Sequence, residues 1–419
     1  MRIHLLYSAD SIVYEHPQLL AAGAFCGGLK PLTGHNSIPF PPGTILYTLP
    51  GRLPTGINPR TRKPEILQEV IINGKKKIPE AVAVFLPPAY TRLFFPAAEI
   101  KKNITLPMWA YTACGSAQGI NMASALRIDP DTRSDVANYQ NRTLLNQLIK
   151  KKLTYTKNSL YRQLSVCALE YDCFAAKNVF YERWEAPVPT SPVCNAGCLA
   201  CISLQESECC RSPQERIKKS PEPEEISELI INHFNKAPQP IASFGQGCEG
   251  EPLCNAEIIS RALTLTRRHT SGGVININTN GSLPRQFGKI AGHGLDSVRI
   301  SIFSFRENLY RLYHRPLYEF DNVLKTMQNA FQRNLHVSVN LLHFPGINDT
   351  AEELSAILNA RDKYGFNMLQ IRNLNIDPAR LHGFSGLGGR FIGVPEMIRE
   401  ITRHDPQMMF GYYNPYFEK

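Results

Sequence analysis

From Pro187 onward, short β-branched runs alternate with amphipathic segments, and few folds accommodate that pattern. The strand candidates are IASF from Ile241, VININT from Val274, VRISIF from Val298, VSVNLLHF from Val337 and MLQIRNL from Met368. Between them, Ile226, Leu229, Ile230, His233 and Phe234 recur at helical spacing. Phe320, Val323, Leu324, Met327, Ala330 and Phe331 do the same, as do Leu354, Ile357 and Leu358. A period that switches repeatedly between strand and helix predicts a parallel sheet flanked by helices. If APVPTSP before Cys194 supplies a first strand, the expectation is six βα units, a partial barrel or an open sheet. Reactive groups then gather at the C-terminal ends of the strands.

The rest of the chain divides around this unit. Residues 1–133 are rich in Pro, Gly and β-formers and predict a β-rich domain. Asn73-Gly74 between apolar segments is a two-residue hairpin signal. Residues 134–184 predict a helical connector, with Leu144, Leu145, Leu148 and Ile149, then Leu160, Leu164, Cys167 and Leu169, at helical spacing. The α/β unit is expected over 185–405 and a C-terminal tail over 406–419. The N-terminus lacks the apolar core of a signal peptide, and no apolar run approaches the ~20 residues that span a bilayer. A cytoplasmic protein with no membrane partner is expected.

Eleven cysteines, an odd number, in a 419-residue chain point to reduced thiols and metal ligands rather than a disulfide framework. Cys194, Cys198 and Cys201 stand at C-x-x-x-C-x-x-C spacing in SPVCNAGCLACIS, on the first βα loop. Three thiolates on one tight loop can bind three irons of a [4Fe–4S] cube. The fourth iron is then open to a substrate or cofactor, unlike the four-cysteine clusters of electron carriers. After the second strand, GQGCEGEPL brings glycines beside Glu251, a carboxylate able to hold an ammonium. Thr279-Asn280-Gly281 follows the third strand, Arg299 and Ser301 lie on the fourth, and Asn340 and His343 on the fifth.

These motifs resemble the radical S-adenosylmethionine (SAM) superfamily over residues 184–405. The resemblance implies a partial (βα)6 barrel of that type, a [4Fe–4S] cluster on Cys194, Cys198 and Cys201, and SAM chelated to the open iron. Gly250-Glu251-Pro252 resembles the Gly-Gly-Glu element, which implies that Gly250 and Glu251 hold the SAM amino group. Asn280 falls in the element after strand three. Arg299, Ser301 and Asn340 would contact the SAM carboxylate or ribose. One electron from a donor such as flavodoxin or ferredoxin would cleave SAM, and a 5′-deoxyadenosyl radical would abstract hydrogen from a substrate. Peptide, protein or RNA modification is the favoured outcome. Two positions depart from the pattern: Ala200 replaces a common aromatic, and Glu249 replaces the first glycine of the Gly-Gly-Glu element. Cysteines of the SPASM-type extension are absent from the C-terminal region, since none lies beyond Cys254.

Several residues carry open readings. Cys248 adjoins the Glu251 loop and is a candidate catalytic thiol; His343 and Tyr310 are further cavity candidates. A structural zinc site closed by Cys209 or Cys210 is the rival reading of the triplet. In that case a formal charge of +10 would suit a non-catalytic iron–sulfur or zinc scaffold that binds nucleic acid through a basic surface.

Overall fold

The computed structural model describes residues 1–205, 212–384 and 386–418. Its C-terminal half is built on a seven-stranded sheet in which every neighbouring pair is parallel and the strands run in chain order. The strands, first to seventh, are Glu185–Pro187, Ile241–Phe244, Val274–Thr279, Ser297–Ile302, His336–His343, Met368–Asn373 and Met409–Gly411. Sequential order with parallel pairing curls the sheet into a half-barrel.

Helices α4 (Pro223–Phe234), α5 (Ala256–His269), α6 (Pro284–Ala291), α8 (Phe320–Gln332), α9 (Ala351–Tyr364) and α10 (Val394–His404) are interleaved with the strands, and α7 (Glu307–His314) stands near the cysteine loop. Fully buried Val298, Ile300, Val337, Val339 and Leu341 share one core with Leu229, Ile230, Val323, Met327 and Ile357 of these helices. Burying aliphatic area at about 25 cal/mol per Å² is the main term holding the layers together. At the start of α4, Glu225 Oε2 accepts the Glu222 N–H at 3.1 Å, a capping contact that local sequence supplies.

Two expectations need correction. The sheet has seven strands rather than six, and 406–419 is not simply a tail. Met409–Gly411 pairs with Met368–Gln370, and the following residues turn back into the barrel. There Tyr413 O accepts from Gln370 Nε2 at 3.0 Å, while Asn414 Nδ2 donates to Glu185 Oε1 at 2.7 Å. Three residues are too few to show a strand period, so only long-range pairing reveals this one.

The N-terminal part is β-rich, built on antiparallel strands. His4–Ala9 pairs with Ile12–Phe25, with Glu80–Phe85 and with Cys114–Ala117. Val70–Ile72 and Lys75–Lys77 form the hairpin signalled by Asn73-Gly74, whose φ values of 51° and 75° suit a two-residue turn. Then α1 (Arg142–Tyr155), α2 (Ser159–Leu169) and α3 (Phe174–Tyr181) pack on the barrel, with Leu164, Cys167, Ala176 and Phe180 in the same core as Ile226 and Ala242. Among the described residues no helix is long and apolar enough to cross a membrane.

The N-terminal sheet docks on the C-terminal rim of the barrel through buried polar side chains. Arg92, fully buried, donates to the carbonyls of Tyr111 and Leu374. Asn373 accepts from the Arg92 N–H at 2.8 Å and donates to Tyr90 O at 2.8 Å. Arg52 grips Asp377 with Nη2 2.7 Å from Oδ2. A cavity of about 270 Å³ opens beside this pair, lined by Leu49, Phe95, Ile100, Leu106 and Phe344 among others.

Candidate functional site

The loop that carries the three cysteines is fastened to its neighbours mostly by main-chain bonds. From the loop after the second strand, Gly250 donates to Ser191 O at 2.7 Å and Glu251 to Val193 O at 2.8 Å. A Cβ at Gly250 would stand 2.0 Å from Val193 O, so only glycine permits this approach. From the end of α7, Gly197 N donates to His314 O at 3.0 Å and Leu199 N to Tyr313 O at 3.0 Å; Leu317 N reaches Asn195 O at 3.1 Å. From the loop after the third strand, Asn280 Nδ2 donates to Asn195 Oδ1 at 2.8 Å, and Asn195 Nδ2 to Ser282 Oγ at 2.9 Å.

Within this frame the three thiols feel one another. Burial raises the thiols of Cys194 and Cys198, and the neighbouring cysteines push both further up. Two donors face the sulfurs. Arg216 Nη2 is 3.6 Å from Cys201 Sγ, and His314 Nδ1 is 3.3 Å from Cys198 Sγ. His314 Nε2 accepts the Phe303 N–H at 3.2 Å, so the ring proton resides on Nδ1 and points at sulfur. Burial drives this imidazole down to about 3, which keeps it in that neutral form. Repelling thiols faced by N–H donors fit a group that binds thiolates, because metal ligation removes the proton that burial retains. Among the described residues no three His, Cys, Asp or Glu side chains converge on a single metal ion. The thiolates of an iron–sulfur cube bind different irons and need not converge on one point.

Glu251 is 3% exposed. Its Oε1 accepts from Leu253 N at 3.0 Å and from the Thr279 hydroxyl, and its Oε2 accepts from Asn280 N at 2.8 Å. The carboxylate therefore joins the loops after strands two and three. Burial pushes it up to about 7, opposed by those donors. Glu249 sits beside it, 4% exposed. Its Oε2 accepts from Thr190 N at 2.7 Å and Ser191 N at 2.8 Å, while Gly245 N donates to its Oε1. Burial takes this acid also to about 7. The sequence reading treats Glu249 as a lost glycine; in the fold it holds the approach to Cys194. The other departure, Ala200, lies in an apolar cluster with Phe303, Leu309 and Tyr313, so aromatic packing there comes from other elements.

The remaining candidates separate. Ser301 and Asn340 are register partners on neighbouring strands of the lumen face, and Arg299 stands on the same face. Arg299 donates to Gln370 Oε1 at 3.4 Å. Cys248 is 4% exposed and turned into the core, its thiol held well above the usual range by a hydrogen bond to Cys167. Its other charged neighbours are Glu249 and Cys173, so it is not gathered with the triplet. His343 faces the helices and sits 3.1 Å from Asp349 Oδ2; the Tyr310 hydroxyl meets that of Tyr318 at 2.9 Å. Cys209 and Cys210 lie outside the described residues. His314, Arg216 and Glu249 were not picked out as site residues by the sequence. Each acts through a contact that no local motif signals.

Compared with known families, residues 188–358 match the model described as the Radical SAM superfamily. The chain carries a radical SAM domain. That family implies a [4Fe–4S] cluster and SAM. No curated protein matches the chain. Solved structures similar to it include a radical SAM methyltransferase from Sphaerobacter thermophilus, with 15% identity, 53% of this chain, 63% of that one and a TM-score of 0.38. SuiB from Streptococcus suis has 10% identity, 67% and 61% coverage and a TM-score of 0.40. Methylornithine synthase has 14% identity, 62% and 76% coverage and a TM-score of 0.36. The chain thus spans less than two thirds of the first two structures it matches.

Proposed function

We propose that Cys194, Cys198 and Cys201 hold three irons of a [4Fe–4S] cluster and that Glu251, with Gly250 and Asn280, receives the amino group of SAM beside the open iron. When bound, this pair of cofactors supplies one-electron cleavage of SAM and hydrogen abstraction from a substrate, with flavodoxin or ferredoxin as the class of electron donor. The observation that carries the reading is the joining of the Glu251 loop to the cysteine loop at Gly250, which sets a buried carboxylate next to three thiols. Glu251 must be ionised to hold an ammonium, and the donors from Asn280, Thr279 and Leu253 aim its oxygens. His314 and Arg216 each offer an N–H to a sulfur, which disperses negative charge. Arg299, Ser301 and Asn340 would face the carboxylate or ribose of SAM from the lumen.

The substrate class favoured is a peptide, a protein or an RNA. A charge of +10 suits a polyanion. The N-terminal sheet over the rim suits a polypeptide and would exclude water from a reactive radical. The test is spectroscopic. Anaerobically reconstituted, reduced protein should show an iron–sulfur EPR signal that changes on adding SAM, and Glu251→Gln should keep the signal but lose the change. If the change persists in Glu251→Gln, the ammonium role is wrong.

A further inference from the structure

The cavity of about 270 Å³ under the N-terminal sheet has walls from both parts of the molecule. Leu49 and Ala98 belong to the N-terminal sheet, while Phe344, Pro378 and Ala379 belong to the segments after the fifth and sixth barrel strands. Ile100, also in the lining, is 40% exposed, so the cavity is reached from outside. Its volume lies just under the roughly 300 Å³ at which small-molecule pockets begin, which suits one large side chain. Packed rings run from this cavity to the cysteine loop. Phe95 and Phe344, both in its lining, have ring centres 4.7 Å apart. Phe384 packs on Phe344 at 6.4 Å, Phe303 on Phe384 at 5.3 Å and Tyr313 on Phe303 at 4.5 Å. The Tyr313 carbonyl then accepts from Leu199 of the cysteine loop. A group held in the cavity is set off from the sulfurs by these rings.

Among the described residues Arg52 is the one cation in the lining, and it is 7% exposed. Its Nη2 donates to both oxygens of Asp377, at 2.9 and 2.7 Å. Asp377 also accepts from Leu106 N at 2.9 Å and Ala379 N at 3.0 Å, so its carboxylate is fully engaged. Arg52 Nε is buried and has no partner among the described residues. A buried donor left unpaired is costly, and an acceptor on a ligand removes that cost. Asp377 already balances the guanidinium charge. The acceptor that fits is therefore an uncharged carbonyl, since a carboxylate or phosphate would be buried without a cation of its own.

We propose that this cavity binds an apolar side chain of a peptide or protein, with the neighbouring amide carbonyl accepting from Arg52 Nε. An apolar residue within a polypeptide carries hydrocarbon for the walls and a neutral carbonyl for the donor side by side. The site is an anchor: it holds a residue that flanks the reacting one, beyond the rings that close off the cysteine loop. That the polypeptide is the substrate rests on the proposed function; that the cavity binds it does not.

The probe is N-acetylphenylalaninamide, followed by saturation-transfer NMR with the full-length chain. Wild type should bind it. N-acetylalaninamide should bind on the order of tenfold more weakly, because it leaves the apolar walls uncovered. N-acetylphenylalanine, an anion, should lose about as much through its buried charge. Ala98→Leu and Ala379→Leu fill the cavity from its two sides. Each should weaken the probe about tenfold or more without lowering the midpoint of urea unfolding. Ala379→Leu decides if Ala98→Leu does not fold. No binding by wild type, or equal binding by wild type and either folded variant, overturns the site. Equal binding of the two phenylalanine derivatives overturns the neutral carbonyl. Wild type that ignores the probe yet shows the SAM-dependent EPR change faults this site alone. The reverse faults the cofactor reading alone.

Discussion

The loop carrying Cys194, Cys198 and Cys201 is fastened mainly by backbone atoms of two neighbouring segments, the Glu251 loop and the end of α7, whereas the seam under the N-terminal sheet hangs on the side chains of Arg52, Arg92, Asn373 and Asp377. Main-chain fastening tolerates change at most positions and fixes geometry closely, which suits a loop that must present three sulfurs. Side-chain fastening puts the stability of the seam in a few residues. The two regions should therefore respond differently to substitution.

The largest effect is expected at the seam. Arg52→Ala leaves Asp377 buried and without its cation, and should cost about 3–5 kcal/mol in denaturant unfolding. Adding Asp377→Asn should recover part of that loss by removing the stranded charge. No recovery would mean that the pair contributes packing rather than charge.

Next come the two carboxylates of the adjoining loop after the second strand. Glu249 and Glu251 are each raised from 4.5 to about 7 in the fold. A raised acid contributes stability that is fully present below the unfolded value and lost as pH rises through the folded one. Protein without cofactors should thus lose stability between pH 4.5 and about 7, by about 3 kcal/mol for each group. Glu249→Gln should remove roughly half of that fall. SAM binding, which needs Glu251 ionised, should strengthen over the same interval. A flat stability profile would contradict the burial of these acids.

Smaller effects are expected where one side chain supplements the backbone. Asn195→Ala removes two hydrogen bonds and should cost about 1–2 kcal/mol, with the cluster still assembled. His314→Phe keeps a ring but loses the N–H toward Cys198. Stability should drop by about 1–3 kcal/mol, because the buried Phe303 N–H loses its acceptor, while the cluster potential should fall, because the Nδ1 donor favours the more negative reduced form. An unchanged potential in a redox titration would leave His314 a packing group.

The barrel was largely legible because its signals are local. Val298, Ile300 and Ile302 alternate with polar residues within one strand, the helices repeat over several turns, and the cysteines lie within eight residues. The seventh strand was not legible, since Met409–Gly411 is too short to show a period and Tyr413 and Asn414 find their partners far back in the chain. The seam escaped for the same reason. Arg52 and Asp377 stand 325 residues apart, and nothing near either signals the other. At the site, Cys194, Cys198, Cys201 and Glu251 announced themselves by motif. His314, Arg216 and Glu249 act only through the fold.

The most direct measurement is release of 5′-deoxyadenosine from SAM by anaerobically reconstituted protein, with and without reductant, beside a Cys198→Ala control. Release that needs reductant and is abolished by the substitution is the predicted result. Equal release from both proteins, or none from a wild type with a full complement of iron and sulfide, would contradict the assignment of the cysteine loop.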